Sequence, residues 1–360
     1  MGDYVRQMPH HGSQDLARPP SAASRMHIDI PLLLLLLALT AYGLFVLYSA
    51  SGQSTGAVVR QGRYFLVGYV IMILGAQVSL QRYMRWAPWF YLAGVATLVA
   101  VMFFGVGAKG AQRWLSIGGF RFQPSEIMKI VVPMAVAWYL ADRILPPRFK
   151  FVIIALALVG LPAALILQQP DLGTALLIAA SGLFVLFMAG IGWRYMFGAA
   201  VLAIASAWPA WMFVLKDYQK QRILTMLNPE SDKLGAGWNI IQSKTAIGSG
   251  GWDGKGWLKG TQSQLDFLPE SHTDFIIAVL AEEHGLRGVL MLLGIYLLIL
   301  LRGFWIGVRA QTSFGRMMAG SLTRTFFVYI FVNMGMVAGL LPVVGVPLPL
   351  VSAGGTSVVT

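Results

Sequence analysis

Nine apolar runs, each near the length that crosses a bilayer, recur along the chain and constrain its fold more than any motif does. They lie at 30–50, 64–80, 86–104, 123–142, 149–168, 171–190, 195–215, 274–301 and 325–341. A helix needs about 20 mostly apolar residues to cross the hydrocarbon layer, where each backbone polar group must be bonded within the segment. Only 12% of the residues are charged and 57% are hydrophobic, against about 25% charged in a soluble domain. The expected fold is therefore all-α, a polytopic integral membrane helical bundle with nine clear spans. The segment 342–360 carries Pro342, Pro347 and Pro349 and predicts no tenth helix. The run from Ile30 is too long for a signal-peptide core, and no small-residue cleavage pattern follows it, so it reads as a retained first span. Residues 1–27 are polar, with Pro9, Pro19 and Pro20, and read as a disordered cytoplasmic tail.

Lys and Arg total 27 against 15 Asp and Glu, a net charge of +12. Nucleic-acid binders concentrate such an excess on a stripe or tail. Here much of it sits in short loops between spans, so no nucleic-acid partner is expected, and anionic lipid and topology account for the charge better. Basic residues mark the cytoplasmic side. With the N-terminus inside, Arg82, Arg85, Arg143, Arg148, Lys150, Arg194, Arg302, Arg309 and Arg316 are cytoplasmic. Arg60, Arg63, Lys109, Arg113 and Arg121 then fall in outer loops, with seven more basic residues in a long outer loop. The two sizeable outer loops are 105–122 and 216–273. The second holds Gly248, Gly250, Gly251, Gly254, Gly256 and Gly260 with Trp238, Trp252 and Trp257. A loop this long in a compact protein is expected to be functional and partly re-entrant or interfacial. The chain has no cysteine, which excludes disulfide and thiolate chemistry.

Ionisable groups in or at the rim of membrane helices are the candidate functional residues. Glu126 and Lys129, three apart behind Pro124, share a helix face. They form either a structural ion pair or an outward-facing anion site. Asp171 beside Pro170 is a helix cap or a neighbour of the active site. Asp266, Glu270, His272 and Asp274 gather at the exit of the long loop, where Ser271 and Asp274 also fit a capping box. A carboxylate in such a place is suited to general-base work. His272 with Glu270 or Asp274 matches no specific metal-site spacing. Glu282, Glu283 and His284 interrupt a span and are expected to face the bundle, pairing with Arg287 or Lys129 around a distortion at Gly285. They serve as structural glue or as the lining of a polar cavity. Lys109, Arg113, Trp114 and Arg121 suit either interfacial anchoring or a grip on a phosphate or sugar. No P-loop, dinucleotide fingerprint or HExxH occurs, so nucleotide-driven and zincin chemistry have no support.

Four segments together resemble a known family. AKGAQRWLSIGGFRFQPSEIMKI at 108–130, QQPDLGTALL at 168–177, GTQSQLDFLPESHTDFIIAVLAEEHG at 260–285 and PLPLVSAGGTS at 347–357 are similar to SEDS proteins, nearest to the rod-shape branch rather than the division branch. The resemblance covers roughly 28–360 and implies a SEDS transmembrane domain of about ten helices with a large periplasmic loop, in the bacterial inner membrane. It implies a peptidoglycan glycosyltransferase acting on lipid II, with a class B penicillin-binding protein and other elongation-complex membrane proteins as partners. By motif, the family's essential acidic residue falls on Asp274, its Glu–Lys pair on Glu126 and Lys129, and a further acidic residue on Asp171. Two departures stand out. Ala353 replaces the tyrosine usual in the glycine-rich tail motif, and the sequence stops at Thr360, where relatives continue into a last helix.

The chemistry implied needs no nucleotide, because the donor sugar already carries a diphosphate leaving group. Forming a β-1,4 bond inverts the donor carbon in one in-line displacement. One base on the acceptor hydroxyl and cations on the diphosphate are sufficient. Asp274 is the candidate base. Lys129, Arg113 and Lys109 are the candidate cations, with a divalent ion, Mg or Mn, as an additional helper, and Trp114, Glu270 and His272 are supporting candidates. A lipid II flippase and a non-enzymatic scaffold are the alternative readings.

Overall fold

The computed structural model describes residues 27–355 except 109–110, 118–119, 233–234, 266 and 269. The expected tail therefore lies, but for His27, outside the described residues. Among the described residues nine long helices overlap the nine expected runs: α1 Ile30–Ala50, α2 Thr55–Ala76, α3 Leu80–Phe104, α4 Pro124–Ala141, α5 Phe149–Gln168, α6 Leu172–Met188, α7 Trp193–Pro209, α11 Ile276–Arg309 and α12 Ser313–Val337. Six of them are long and apolar enough to cross a membrane by themselves: α1, α2, α3, α5, α7 with its extension to Phe213, and α11. The shorter or more polar α4 and α6 are packed inside the bundle instead, with Met128, Val132, Val136, Ile178 and Val185 fully buried. Lipid as outer solvent explains the inverse pattern elsewhere, where Leu66, Phe103 and Phe213 are largely exposed.

Several helix edges differ from the apolar runs. α2 begins at Thr55 rather than 64, so Arg60 and Arg63 lie in its first turns and not in a loop. α12 begins at Ser313 rather than 325. Apolar residues mark where lipid begins, whereas helical hydrogen bonding continues into the interface. At the N-terminus of α1, Asp29 accepts from Leu32 N–H and from Arg302 of α11 through both carboxylate oxygens, at 2.6 and 3.0 Å. The Arg302 hydrogen bond holds the Asp29 carboxyl below the usual carboxylate range.

The described parts of the two sizeable loops are structured. Between α3 and α4 the described residues form an antiparallel sheet, β1 Val106–Ala108, β2 Ala111–Ile117 and β3 Phe120–Phe122, in the order β1-β2-β3, with Val106 opposite Trp114 and Leu115 opposite Phe122. This is a local departure from the all-α expectation. The long loop contains α8 Asp217–Leu227, α9 Ala236–Gly250 and the single turn α10 Thr261–Gln264. α9 packs along α11, and its buried Ser243 donates to the Val337 carbonyl of α12 at 2.8 Å.

The described part of the proline-rich tail, 342–355, is non-helical and re-enters the bundle. Tyr296 of α11 donates to the Pro349 carbonyl at 2.7 Å. A side chain added at Gly43, midway along α1, would lie 2.8 Å from the Leu350 carbonyl. Buried apolar side chains form one cluster across α3–α6 and a second across α1, α11, α12 and the tail. A small third cluster of Leu177, Tyr329 and Val346 sits between α6, α12 and the tail, where the candidate residues meet.

Candidate active site

Glu126 occupies the first turn of α4 behind Pro124, as the sequence pattern requires, and accepts from the Lys129 ammonium at 2.6 Å. Both side chains are largely shielded. The ammonium also lies 4.6 Å from the Tyr329 ring centre of α12, a cation–π contact. Tyr329 is within electrostatic range of Glu126 and Asp171, and its buried hydroxyl has no hydrogen-bond partner among the described atoms.

Asp171 combines the two roles left open by its sequence. It caps α6 by accepting from Thr174 N–H at 3.2 Å, and its second oxygen lies 3.4 Å from Arg113. Arg113, on β2, also donates to the carbonyls of Gln169, at 3.4 Å, and Pro170. Its guanidinium thus clamps the turn before α6 to the three-stranded sheet. Lys109, the third candidate cation, lies outside the described residues, and Trp114 is half-buried on β2.

Asp274 is half-buried in the turn before α11. The expected Ser271–Asp274 capping box does not form. The helix begins only at Ile276 with Phe275 in the cap position, and Ser271 donates to the Ala50 carbonyl at the end of α1 instead. The turn is held by three successive carbonyls. Ala353 N–H donates to His272 at 2.9 Å, the Ser352 hydroxyl to Thr273 at 2.5 Å, and the Asn333 amide to Asp274 at 2.9 Å. Within the turn, Thr273 donates to the Glu270 carboxylate at 2.9 Å, and the His272 side chain is exposed. Asp266 lies outside the described residues.

The tail links these parts. Gly345 has φ +73°, a conformation natural to glycine, and a Cβ there would lie 3.5 Å from Asp274 Oδ2. The preceding Val344 packs on Gly173 in the first turn of α6, next to Asp171. α12 supplies Tyr329 beneath Lys129 and, one turn later, Asn333 on the Asp274 turn. Four residues advance a helix by about 6 Å. Asp171, the Glu126–Lys129 pair and the Asp274 carboxylate thus gather around α12 and residues 344–345. Among the described residues no three His, Asp or Glu side chains converge in a metal-binding group. Tyr329, Asn333 and Ser352 were not singled out from sequence. The available signal was a lone amide and a lone hydroxyl in otherwise apolar or proline-rich segments.

Glu282–His284 sit at the expected distortion, with Gly285 at φ +62° and ψ −160° breaking α11. Their expected partners are wrong. Glu282, fully buried, accepts from Lys255 Nζ at 2.7 Å, from Thr261 N–H at 2.8 Å and from Gln262 N–H at 3.0 Å. Glu283 accepts from Ser49 at 2.5 Å, and Arg287 pairs with Asp253. The dense glycines of the loop serve close backbone packing at this break rather than looseness. A Cβ at Gly250 or Gly254 would strike the Ala281 or Glu283 carbonyl, at 1.9 and 2.2 Å. In return Lys255 and Gly256 N–H groups bond the Glu282 and Glu283 carbonyls, each at 2.9 Å, satisfying groups freed by the break. Glu282→Gln is expected to lower stability by about 2 kcal/mol, since it weakens hydrogen bonds to a charged acceptor. Thermal unfolding in detergent, with limited proteolysis across 255–262, checks this. Unchanged melting and cleavage would contradict the anchoring role.

These features define a multi-pass membrane protein with an ionisable cluster around a re-entrant tail. The model of the FtsW/RodA/SpoVE family, described as cell cycle protein, matches residues 30–360, and the chain belongs to that family. The peptidoglycan glycosyltransferase MrdB of Escherichia coli K12 is 56% identical over 336 residues, covering 93% of this chain and 90% of that one. A probable peptidoglycan glycosyltransferase FtsW of Trichlorobacter lovleyi is 37% identical over 345 residues, covering 91% and 89%. Among solved structures, a chain from a study of a peptidoglycan synthase complex that coordinates polymerization and crosslinking matches with TM-score 0.80 and 31% identity over 92% and 93% of the two chains. The rod shape determining protein RodA of Thermus thermophilus matches with TM-score 0.69 and 28% identity over 92% of each.

Proposed function

We infer that this chain is a peptidoglycan glycosyltransferase of cell elongation, polymerising lipid II into β-1,4-linked glycan with release of undecaprenyl diphosphate. The observation that carries the reading is the 56% identity to MrdB, which runs through nearly the whole chain and includes the segments that hold Glu126, Lys129, Asp171 and Asp274.

In the proposed reaction the Asp274 carboxylate takes the proton of the acceptor 4-OH as that oxygen attacks the anomeric carbon of the donor. The bond from that carbon to the diphosphate oxygen breaks, and configuration inverts. Lys129, shared between Glu126 and the leaving diphosphate, stabilises the charge that develops. Arg113 and Asp171 hold the turn that frames the site. Purified protein in detergent, given lipid II and a partner with an inactive transpeptidase site, tests the reading. Detergent has no second leaflet, so glycan product there excludes a flippase or a silent scaffold, and its absence would overturn polymerisation.

The same reading places residues 28–360 in one transmembrane domain of about ten helices in the full protein, preceded by a cytoplasmic tail at 1–27. It sets the site and the loops 105–122 and 216–273 on the periplasmic side of the inner membrane. A class B penicillin-binding protein and other membrane proteins of the elongation complex are its partners. Crosslinking in the synthase complex that matches this fold supports such a partner.

Topology is testable because no native cysteine interferes. Gln262 is tied to Glu282, so the exposed Lys259 is the better outer position and the exposed Gln311 the inner one. An impermeant thiol reagent applied from outside should label Lys259→Cys and not Gln311→Cys. The reverse pattern would invert the orientation.

A further inference from the structure

We propose that Asn333 and Ser352 are positioning residues that hold Asp274 against its substrate, with the re-entrant tail acting as a splint on the catalytic turn. The proposal rests on the reading of Asp274 as the base. It starts from what that turn lacks. Asp274 follows a long loop, precedes a helix whose cap residue Phe275 makes no side-chain capping bond, and takes no part in the expected capping box. The start of α11 therefore gives the turn no side-chain cap of its own.

The missing order comes from two distant segments. Asn333 is fully buried on α12, and its amide donates twice, to the Asp274 carbonyl at 2.9 Å and to the Val346 carbonyl at 2.7 Å. Two carbonyl acceptors fix the amide's orientation, because the flipped amide would face oxygen with oxygen. The same side chain thus pins the catalytic residue and the tail strand beside it, where Gly345 lies against the Asp274 carboxylate. Ser352 repeats the device one residue earlier. Its hydroxyl donates to Thr273 at 2.5 Å and accepts from Leu348 N–H at 2.9 Å. Its own carbonyl accepts from the buried Gln61 of α2 at 3.3 Å, whose amide oxygen in turn receives Gly354 N–H at 3.2 Å. The tail is tied to α2 on one side and to the turn on the other. This path from α2 and α12 to Asp274 runs through single hydrogen bonds at each step. Loosening it displaces the base without altering the chemistry of any reacting group.

A displacement near 1 Å can cost about 10²-fold in rate. Asn333→Ala should therefore lower kcat for lipid II polymerisation by about 10- to 100-fold with KM nearly unchanged, and Ser352→Ala, which removes the hydroxyl's bonds to Thr273 and from Leu348 but keeps the Asn333 amide, by about 10-fold. Lost packing alone could mimic the first result, so the discriminating measurement is a double-mutant cycle. In the Asp274→Asn background, adding Asn333→Ala or Ser352→Ala should leave the residual rate unchanged, because a positioning residue acts only through the group it positions. Ser243→Ala removes an equally buried bond to α12 that does not touch the turn, and should lower the melting temperature without changing kcat. The proposal is overturned if either tail or α12 substitution keeps normal kcat, or if its loss multiplies that of Asp274→Asn. If Asn333→Ala does not accumulate, the Ser352→Ala cycle decides alone. Normal polymerisation by Asp274→Asn would instead reject the base assignment.

Discussion

Asp274→Asn is expected to lower lipid II polymerisation at least 100-fold while the protein still folds, inserts and binds its partner. Removing a general base typically costs about 10²–10⁴-fold. The substitution leaves the backbone hold on Asp274 in place. Its carbonyl is held by Asn333, and α11 starts at Ile276 without a side-chain cap from residue 274. Asn keeps the size of the side chain and part of its hydrogen bonding but cannot take a proton. Asp274→Glu keeps the base and moves it by one methylene toward space already limited by Gly345. It should retain weak activity at most. Initial rates with labelled lipid II, alongside membrane yield and melting temperature, check both variants. Near-normal glycan from Asp274→Asn would move the base assignment to Asp171.

The second large effect is expected at Lys129. Its ammonium is bonded to Glu126 and stacked on Tyr329, so Lys129→Ala leaves a shielded carboxylate without this cation. Breaking a buried pair costs about 3–5 kcal/mol, and lower yield is expected whatever the function. The double variant Glu126→Gln with Lys129→Gln separates the two contributions, since it removes both charges. It should recover most of the yield lost by Lys129→Ala, yet remain about 10²-fold slower than the parent, the scale of losing one preorganised stabiliser of developing charge. Full recovery of rate with yield would make the pair purely structural.

Asp171 and Glu282 differ in what flanking sequence says about a buried carboxylate. Pro170 before Asp171 and the run of small and apolar residues after it announce a helix start, and the cap forms as the local pattern requires. Nothing near Glu282 points to Lys255 or Thr261, 27 and 21 residues away. The sequence neighbour Arg287 goes to Asp253 instead. The break at Gly285 was legible because three ionisable groups cannot follow one another along a lipid-facing helix. Which loop would fill the break was not, because glycines that permit close approach look in sequence like glycines that permit motion.

The membrane class, the approximate positions of the nine long helices among the described residues and the Glu126–Lys129 pair were determined by the sequence itself, since each follows from short-range physics. A bilayer demands apolar runs of a set length, and a helix brings residues three apart onto one face. The limits of α2 and α12, the three-stranded sheet between α3 and α4 and the framework around Asp274 were decided only by tertiary structure. Residues 272–274 are held by Asn333, Ser352 and Ala353, 59 to 81 positions along the chain. Such contacts depend on a tail folding back into the bundle, where the buried Asn333 and Ser352 donate to carbonyls that precede the helix and have no helical partner.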